Sequence, residues 1–387
     1  MNVTAGDDSA MTEPDDFGFN TVRTMTHVVD PVPSLDHSGF WKRWYTRLLD
    51  VSPTLRPRIV DDPSDPSATH EFESLAGVKV GCALVVPKNA KPIERALVTT
   101  HGYTNPDSLG DSVRHWQTIA DQGVAVLIVR LRGYRGSQIG IGDMTTPDAI
   151  GAGWIARGFG GHKPEEWILP DAVGDVCNAV RVMRDILLRR GEIDLDLTEG
   201  PAQPGVWLHG RSLGGGIGTI AAAQLIGRLA NDTVVDRLAI ALPSLGAWAW
   251  RLHQRATGTT IDINKVIAHH SDRADELFDR VRLCDSAIHA AHVRIPTLAM
   301  LACRDEVAPA PSAAAVYNAI DAGPGQKWRF VVPYGHFEGG INNARRHALF
   351  DRAMTDFFDP ACTAPDAMER WEDTMSAIDQ EPPGETP

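Results

Sequence analysis

The stretch Gly210-Arg211-Ser212-Leu213-Gly214 decides the fold of this chain. It has the form Gly-x-Ser-x-Gly and lies where an apolar run, Val206-Trp207-Leu208, meets a long segment of small residues. Glycines beside a serine permit a sharp turn from a strand into a helix, because side chains there would clash as the backbone reverses. The pattern predicts that Ser212 stands exposed at the turn as a nucleophile, above a helix N-terminus.

Length and composition bound the class of protein. The chain has 387 residues, enough for one large α/β domain with extensions or for two small domains. Its net charge of −13 argues against nucleic acid and anionic membranes as partners. Its five cysteines form no C-x-x-C pair, so we expect buried free thiols and neither disulfides nor a zinc site. We find no signal peptide and no apolar run that spans a membrane. We therefore expect a cytoplasmic protein with no metal and no cofactor.

Strand and helix patterns alternate along most of the chain. Short apolar, β-branched runs occur at 78–86, 95–100, 124–130, 205–209, 237–242, 296–301 and 328–332, with helical patterns between most of them. This alternation predicts an α/β fold with a mostly parallel sheet and helices on both faces. An aromatic stripe over 36–49 predicts a helix packed on this domain. The expected divisions are a disordered acidic segment over 1–35, one domain over 36–360 with a small cap over about 245–293, and a flexible tail over 361–387.

A serine nucleophile needs a base, and the base needs a group that orients it. In an α/β-hydrolase the acid and then the histidine follow the serine, each in the loop after a later strand. Asp305 follows the strand pattern at 296–301, and His336 follows the last strand. We therefore predict an α/β-hydrolase fold with Ser212, Asp305 and His336 as the catalytic triad. Glu306, which is adjacent, and Asp321, at a helix end, are the weaker candidates for the acid.

Fourteen histidines compete for the role of base. Only His336 follows the last strand in a glycine-rich loop that can hold an imidazole over the serine. His209 precedes the turn on a strand end and is expected to be a core residue. The pair His269-His270 lies in a polar helical stretch without further metal ligands. His101 opens a loop that has a different predicted function.

The loop His101-Gly102-Tyr103 follows the strand pattern at 95–100. Glycine there lets the chain turn an amide toward the serine, so we predict that the oxyanion hole uses the amides of Tyr103 and Leu213. The Tyr103 hydroxyl either reaches the substrate or packs in the core.

Several segments, in order and spacing, resemble the acetyl xylan esterase/cephalosporin C deacetylase family of α/β-hydrolases over about residues 36–358. They are Phe40-Trp41-Lys42, His101-Gly102-Tyr103, Val129-Arg130-Leu131-Arg132-Gly133, Arg157-Gly158, Asp171-Ala172-Val173, Ser212 with Gly214-Gly215-Gly216, Ala314-Ala315-Val316-Tyr317-Asn318, and His336-Phe337-Glu338-Gly339-Gly340. The resemblance implies hydrolysis of small acyl esters, acetyl above all, from sugars or similar alcohols. It puts Ser212, Asp305 and His336 on the family's triad positions and Tyr103 and Leu213 on its oxyanion donors. It also implies a homo-oligomer, since rings are common in the family.

Three motifs depart from the family pattern around the site. Arg132-Gly133-Tyr134 replaces Arg-Gly-Gln, Gly210-Arg211-Ser212-Leu213-Gly214 replaces Gly-Gly-Ser-Gln-Gly, and His336-Phe337-Glu338-Gly339 replaces His-Glu-Gly. The triad is intact, so these changes bear on the substrate.

Other functions stay open beside esterase activity. One is hydrolysis of a thioester, lactone, amide or C–C bond on the same scaffold, and another is a non-enzymatic binding protein. Trp248 and Trp250 either line an acyl pocket or pack the cap. Arg132 and Arg211 either meet an anionic substrate or, especially Arg132, make structural hydrogen bonds. A phosphate-binding loop is not supported, because Gly210 to Gly216 lacks the lysine that such loops need.

Overall fold

The fold is described from a computed structural model of the chain. It describes residues 17, 23, 26–29, 32–58, 68–89, 91–103, 109–140, 143–144, 153–188, 205–226, 234–332, 335–337 and 340–380. Most of the segment expected to be disordered, 1–35, lies outside the described residues, as does the end of the expected tail, 381–387.

The strands within these ranges are β1 Arg56–Pro57, β2 His70–Glu73, β3 Lys79–Val85, β4 Arg95–Thr100, β5 Val124–Val129, β6 Gln138–Gly140, β7 Asp143–Met144, β8 Val206–Arg211, β9 Val235–Ala241, β10 Thr297–Ala302 and β11 Lys327–Val332. Nine of them form one sheet in the order β1-β2-β3-β5-β4-β8-β9-β10-β11. Strands β6 and β7 pair separately. The first three strands are antiparallel to their neighbours, and the other six are parallel. The predicted, mostly parallel sheet is therefore confirmed.

Helices join most of the parallel strands, as the alternation predicted, and others lie outside this pattern. The helices are α1 His37–Leu49, α2 Leu109–Ala120, α3 Ile168–Leu188, α4 Leu213–Leu225, α5 Trp248–Arg251, α6 Thr259–His269, α7 Ala274–Val281, α8 Ser286–Ala290, α9 Ala310–Ala319, α10 Gly340–Phe357, α11 Ala364–Glu369 and α12 Glu372–Gln380. Every residue of β5 is buried, and successive side chains of a strand point to opposite faces. Both faces of the sheet are therefore covered at its centre. None of the described helices combines the length and apolar character needed to cross a bilayer.

The parallel strands bring distant loops to one edge of the sheet. Strands β4 and β8 are neighbours, with Thr100 opposite Gly210, and β10 lies beside both β9 and β11. The loops after β4, β8, β10 and β11 therefore leave the same edge. In open parallel sheets this edge is where ligands bind.

The aromatic N-terminal helix packs as predicted. Phe40, Trp41, Trp44 and Leu48 of α1 are buried. The indole of Trp41 donates a hydrogen bond to the carbonyl of Leu283 at 2.9 Å, so the helix is fixed to the cap segment, residues 245–293. These side chains serve packing and do not form a ligand platform.

The expected flexible tail from 361 is wrong for residues 361–380. This part forms α11 and α12, and Ala367 and Met368 are fully buried. The Trp371 indole donates to Asp356 at 2.8 Å, and its ring lies 5.9 Å from that of Phe330 in β11. A few apolar anchors fix these otherwise polar helices, and such a sparse pattern does not stand out in the sequence.

Part of the N-terminal segment also contacts the domain. The hydroxyl of Ser34 donates to the Asp279 carboxylate at 2.8 Å, and Asn318 donates to the carbonyl of His27 at 2.9 Å. The described end of the segment expected to be disordered is therefore attached to α7 and α9.

Four helices, α5 to α8, make up the cap segment. All of α8 is buried, and it packs against α4 and α9. Asp285 joins the two ends of the segment, because its carboxylate accepts the amides of Ala247, Trp248 and Ala287. The last part of the predicted cap thus belongs to the body of the domain, and α5 to α7 form the true insertion.

Candidate active site

Ser212 stands at the predicted turn in a strained conformation. Its φ of 57° and ψ of −117° are rare for any residue with a side chain, and such strain costs about 1–3 kcal/mol. The Ser212 amide donates to Ala241 at 2.8 Å, and its carbonyl accepts from Gly216 and Ser244. These bonds hold the serine in place between β8 and α4. Leu213 begins α4, so its amide has no acceptor within the helix.

The two glycines of the motif are required by close backbone contacts. A Cβ atom at Gly210 would overlap the carbonyl of Gly214. A Cβ atom at Gly214 would lie 2.7 Å from the carbonyl oxygens of Thr100 and His101. The turn therefore presses directly on the end of β4, which brings the serine against the loop after that strand.

We expect Gly214→Ala to destabilise the protein by about 1–3 kcal/mol, because two backbone carbonyls cannot move away from the new methyl group. The matched control is Gly218→Ala in the same helix, where the nearest atoms to an added Cβ lie at 3.9 Å. This variant should be neutral or more stable by about 0.5–1 kcal/mol, because alanine favours helix. Urea unfolding of both variants measures the difference, and equal effects would contradict the proposed contact.

Asp305 and His336 lie together in the loops after β10 and β11. The Asp305 Oδ2 atom is 2.7 Å from His336 Nδ1, and both side chains are buried. Asp305 Oδ1 accepts the amides of Val307 and Ala308 at 2.8 and 2.9 Å. A carboxylate at Nδ1 places the imidazole proton there and leaves the lone pair on Nε2, which can then act as a base.

The alternative acids lie elsewhere. The side chain of Glu306 is exposed to solvent, and its backbone carbonyl accepts the amide of Thr257. Asp321 forms an exposed ion pair with Arg294 at 3.1 Å. Of the three candidates, Asp305 is the one that contacts His336.

The loop after β4 passes against the serine. A Cβ atom at Gly102 would lie 3.9 Å from Ser212 Oγ, so the backbone there is close to the serine hydroxyl. His101 fixes the loop, since Nδ1 donates to the Gly102 carbonyl at 2.8 Å and Nε2 accepts the Leu131 amide at 3.2 Å. Tyr103, whose amide is the predicted oxyanion donor, follows Gly102 directly in this loop.

The Tyr103 side chain is held by the cap segment, a contact that the sequence did not reveal. Its hydroxyl donates to Asp262 in α6 at 2.6 Å, and Asp262 also accepts the amide of Gly153. Burial and the Asp262 hydrogen bond raise the pKa of Tyr103, so the phenol remains a donor. Tyr134 in turn donates to the Tyr103 carbonyl at 2.7 Å. The loop after β4 is thus tied to α6.

Arg211 and Arg132 have their principal contacts within the protein. Arg211, which precedes the serine, donates to the carbonyl of His336 at 3.3 Å and therefore ties the histidine loop to the end of β8. Arg132 is buried and pairs with Asp175 at 2.7 Å and Asp171 at 3.1 Å. The structural role predicted for Arg132 is confirmed.

The two cap tryptophans differ. Trp248 is fully buried and donates to the carbonyl of Cys284 at 3.3 Å, so it packs the cap. The ring of Trp250 lies 5.9 Å from those of Phe17 and His27, against the N-terminal segment. These contacts favour the packing role over an acyl pocket.

The histidines His209 and His101 lie next to the turn at Ser212. The ring of His209 lies under α2, with Nδ1 2.8 Å from the Thr99 hydroxyl, so the predicted core position is confirmed. Burial, with smaller effects of His115 and Arg211, lowers the pKa of His209 from 6.5 to about 3. Burial, followed by Arg130, does the same for His101.

We therefore expect stability to fall with acidity. The folded pKa values of His101 and His209 lie below 6.5, so the unfolded state binds more protons below that pH. The stability contributed by each neutral ring is present above about pH 6.5 and is lost as the pH falls toward 3, at about 1.4 kcal/mol per pH unit. Urea unfolding from about pH 7 to 4 measures the slope. In His209→Gln it should be smaller by one such increment, and an unchanged slope would refute the assignment.

The cysteines Cys82, Cys177, Cys284 and Cys303 are buried and form no disulfide, and burial raises the pKa of the first three thiols. Within the described ranges, no three His, Cys, Asp or Glu side chains converge as metal ligands do.

A family comparison decides the classification. The model of the acetyl xylan esterase (AXE1) family matches residues 28–351. The chain belongs to the acetyl xylan esterase family. Similar solved structures include acetyl xylan esterase 1 from Thermoanaerobacterium sp. JW/SL YS485, with 20% identity over 86% of this chain and 98% of the other and a TM-score of 0.63. Another is the acetyl xylan esterase from Paenibacillus sp. R4, with 18% identity, 88% and 99% coverage and a TM-score of 0.66. A sequence comparison with curated proteins gives no match.

Membership in the acetyl xylan esterase family makes the chain a carboxylic ester hydrolase. The expected family and class of reaction are confirmed. The similar structures share its α/β-hydrolase fold, so the predicted fold is confirmed as well.

Proposed function

We propose that the protein removes small acyl groups, acetyl above all, from sugars or similar alcohols through an acyl-enzyme on Ser212. The observation that carries this proposal is the buried Asp305–His336 pair at 2.7 Å. It is tied through Arg211 to the strained turn that holds the serine. The acetyl group and the sugar alcohol are supported by the names of the family and of the similar structures.

In the proposed mechanism, Ser212 Oγ attacks the ester carbonyl while His336 Nε2 takes its proton. The amides of Tyr103 and Leu213 donate hydrogen bonds to the oxyanion of the tetrahedral intermediate. His336 then gives the proton to the leaving alcohol, and the acyl group stays on the serine. A water molecule, deprotonated by His336, then attacks this ester. As the carboxylate leaves, His336 returns the proton to Ser212 Oγ, which restores the free enzyme. Asp305 stabilises the imidazolium in both halves of the reaction.

Labelling with a fluorophosphonate tests this function. The reagent should attach to Ser212, located by mass spectrometry of the digested protein, and an acetylated sugar should slow the labelling by competing for the site. Among p-nitrophenyl esters, acetate should be hydrolysed faster than longer acyl chains. A label on another residue, or none, would refute the nucleophile, and preference for a long chain would refute the substrate class.

Phe337 is an exposed aromatic ring beside the proposed base. Its side chain is 65% exposed, and its ring centre lies 5.3 Å from that of His336. Since His336 hands its proton to the leaving alcohol, we propose that Phe337 contacts the alcohol side of the substrate.

Phe337→Ala should therefore raise KM for an acetylated sugar or aryl acetate roughly tenfold, the value of a partly buried aromatic contact, and leave kcat nearly unchanged. Ethyl acetate, whose alcohol is too short to reach the ring, should be unaffected. Leu35→Ala, which removes an apolar side chain that is 96% exposed, is the control. Steady-state kinetics decide, and an equal change for both esters would contradict this role.

We also propose a cytoplasmic location and a homo-oligomer. The location is supported by Cys82, Cys177, Cys284 and Cys303, which are buried and outside any disulfide, as is usual where a reducing compartment keeps thiols reduced. The oligomer is supported by the family resemblance alone. Light scattering during size-exclusion chromatography tests the oligomer, where a monomer mass would refute it. Fractionation of producing cells tests the location, where enzyme in the medium would refute it.

A further inference from the structure

Arg251 is a fully buried cation at the end of α5. Its guanidinium stacks 4.5 Å from the ring centre of Trp248. Burial lowers its pKa to about 10, against the opposing effects of Asp285 and then Asp305, so it stays charged at neutral pH. Burying a cation is costly unless a counter-charge or hydrogen bonds to its donors offset the loss of water.

The hydrogen bonds of Arg251 go to hydroxyls and a carbonyl. Its Nε donates to Thr260 at 3.0 Å, and Nη2 donates to Thr259 at 3.1 Å and to the Val307 carbonyl at 3.5 Å. Its Nη1 donates to the Ser244 hydroxyl at 3.3 Å. Among the described residues, no carboxylate lies within ion-pair distance of this guanidinium. A charge with such partners is not explained as one half of a salt bridge.

The hydrogen bond from Arg251 Nη1 to Ser244 connects the guanidinium with the proposed nucleophile. Ser244, bound by Nη1, donates its own amide to the Ser212 carbonyl at 3.0 Å. Ser286 fixes the Ser244 carbonyl at 2.8 Å. Arg251 therefore helps to position Ser244, whose amide holds the backbone of the strained Ser212.

The hydrogen bond from Arg251 Nη2 to Val307 connects the guanidinium with the proposed acid. Nη2 binds the carbonyl of Val307, and the amide of Val307 donates to Asp305 Oδ1 at 2.8 Å. Asp305 Oδ2 in turn meets His336. Val307 thus links the guanidinium, through its carbonyl and its amide, to the Asp305 carboxylate that orients the base.

The hydrogen bonds to Thr259 and Thr260 connect the guanidinium with the predicted oxyanion loop, residues 101–103. Thr259 and Thr260 open α6, and Asp262 in the first turn of that helix accepts the Tyr103 hydroxyl at 2.6 Å. Arg251 thus fixes the N-terminus of the helix that anchors the loop.

We propose that Arg251 is a positioning residue of the esterase, which holds the loops of the nucleophile, the acid and the oxyanion donor in register with one another. A planar guanidinium suits this role because its donors point in fixed, divergent directions, whereas a lysine ammonium has no such geometry. The residue touches no reacting atom and acts through Ser244, Val307 and α6. This inference rests on the proposed function.

The test compares Arg251→Met and Arg251→Lys by the kinetics of fluorophosphonate labelling, which separate reagent binding (KI) from bond formation at Ser212 (kinact). Misplacing catalytic groups by about 1 Å costs roughly 100-fold, so kinact should fall about 100-fold in Arg251→Met while KI changes little. Arg251→Lys, which keeps the charge without the fork, should recover about tenfold of this loss. Arg280→Met is the matched control, since Arg280 is equally a buried cap arginine and binds the carbonyls of Phe159 and Gly161, away from the site.

Each outcome is decisive. Equal losses of kinact in Arg251→Met and Arg280→Met would show a merely structural role and overturn the proposal. If Arg251→Met does not fold, Arg251→Lys decides, and a wild-type kinact in that variant overturns it. Ser212→Ala in the same series separates this inference from the function: labelling that survives Ser212→Ala refutes the nucleophile itself. Labelling that is lost in Ser212→Ala but unchanged in the Arg251 variants refutes only the role of Arg251.

Discussion

Ser212→Ala and His336→Ala are each expected to lower kcat for acetyl ester hydrolysis about 10⁶-fold. Ser212→Ala removes the nucleophile. In His336→Ala no base takes the proton of the Ser212 hydroxyl, so the oxygen cannot attack efficiently. Because the two groups act as one unit, the double variant should be no slower than either single variant. The activity that remains should come from the oxyanion amides of Tyr103 and Leu213 and from substrate binding.

Steady-state kinetics with p-nitrophenyl acetate measure these losses. The control is His292→Ala, which removes an exposed imidazole, and it should retain wild-type activity. A single variant that keeps more than about a hundredth of the wild-type kcat would contradict the triad. So would effects of the two substitutions that simply multiply, since independent groups behave in that way.

Asp305→Asn is expected to lower kcat about 10⁴-fold with little change in fold. The reason lies in the partners of the two carboxylate oxygens. Oδ1 accepts the amides of Val307 and Ala308, so the carboxamide oxygen of asparagine will occupy that side. Its NH₂ group then faces His336 Nδ1 and donates to it. This forces the imidazole proton onto Nε2, the atom that must accept the serine proton.

The neighbouring carboxylate provides the control for Asp305→Asn. Glu306→Gln makes the same chemical change one residue away on an exposed side chain and should alter kcat less than about twofold. Thermal unfolding of both variants checks that the fold is retained. If Glu306→Gln were the more damaging substitution, the acid would have to be reassigned.

Seven of the nine strands in the described sheet were predicted because they are short apolar runs. Strands β1 and β2 were not predicted, since β1 is two exposed residues and β2 is largely polar. Strand β5, Val124–Val129, contains only apolar residues, as a strand buried on both faces requires. The helices α11 and α12 were missed because each buries few side chains within a polar stretch. The order of the strands, with β5 between β3 and β4, is also absent from any local pattern, since it depends on which edges pair after the chain has folded.

Some residues of the candidate site could likewise be predicted from the sequence, and others could not. Ser212, Asp305 and His336 could be named because each follows a recognisable strand and because their order along the chain is diagnostic. Their roles remain predictions, though the structure places Asp305 against His336. Asp262 and Arg251 carried no such signal. One is 159 residues from its partner Tyr103, and the other is 56 residues from Val307, in a segment whose sequence suggests only a cap.

The sequence by itself determined the chemistry at the strand ends, because a glycine-flanked serine and loops after parallel strands follow from local backbone geometry. Only the tertiary structure decided which contacts join the loops at those ends, namely those of the buried Arg251 guanidinium and the hydrogen bond between Tyr103 and Asp262. The physical reason is that hydrogen bonds across long separations have no period or spacing along the chain. Their partners are selected by folding, when the cap segment closes against the edge of the sheet.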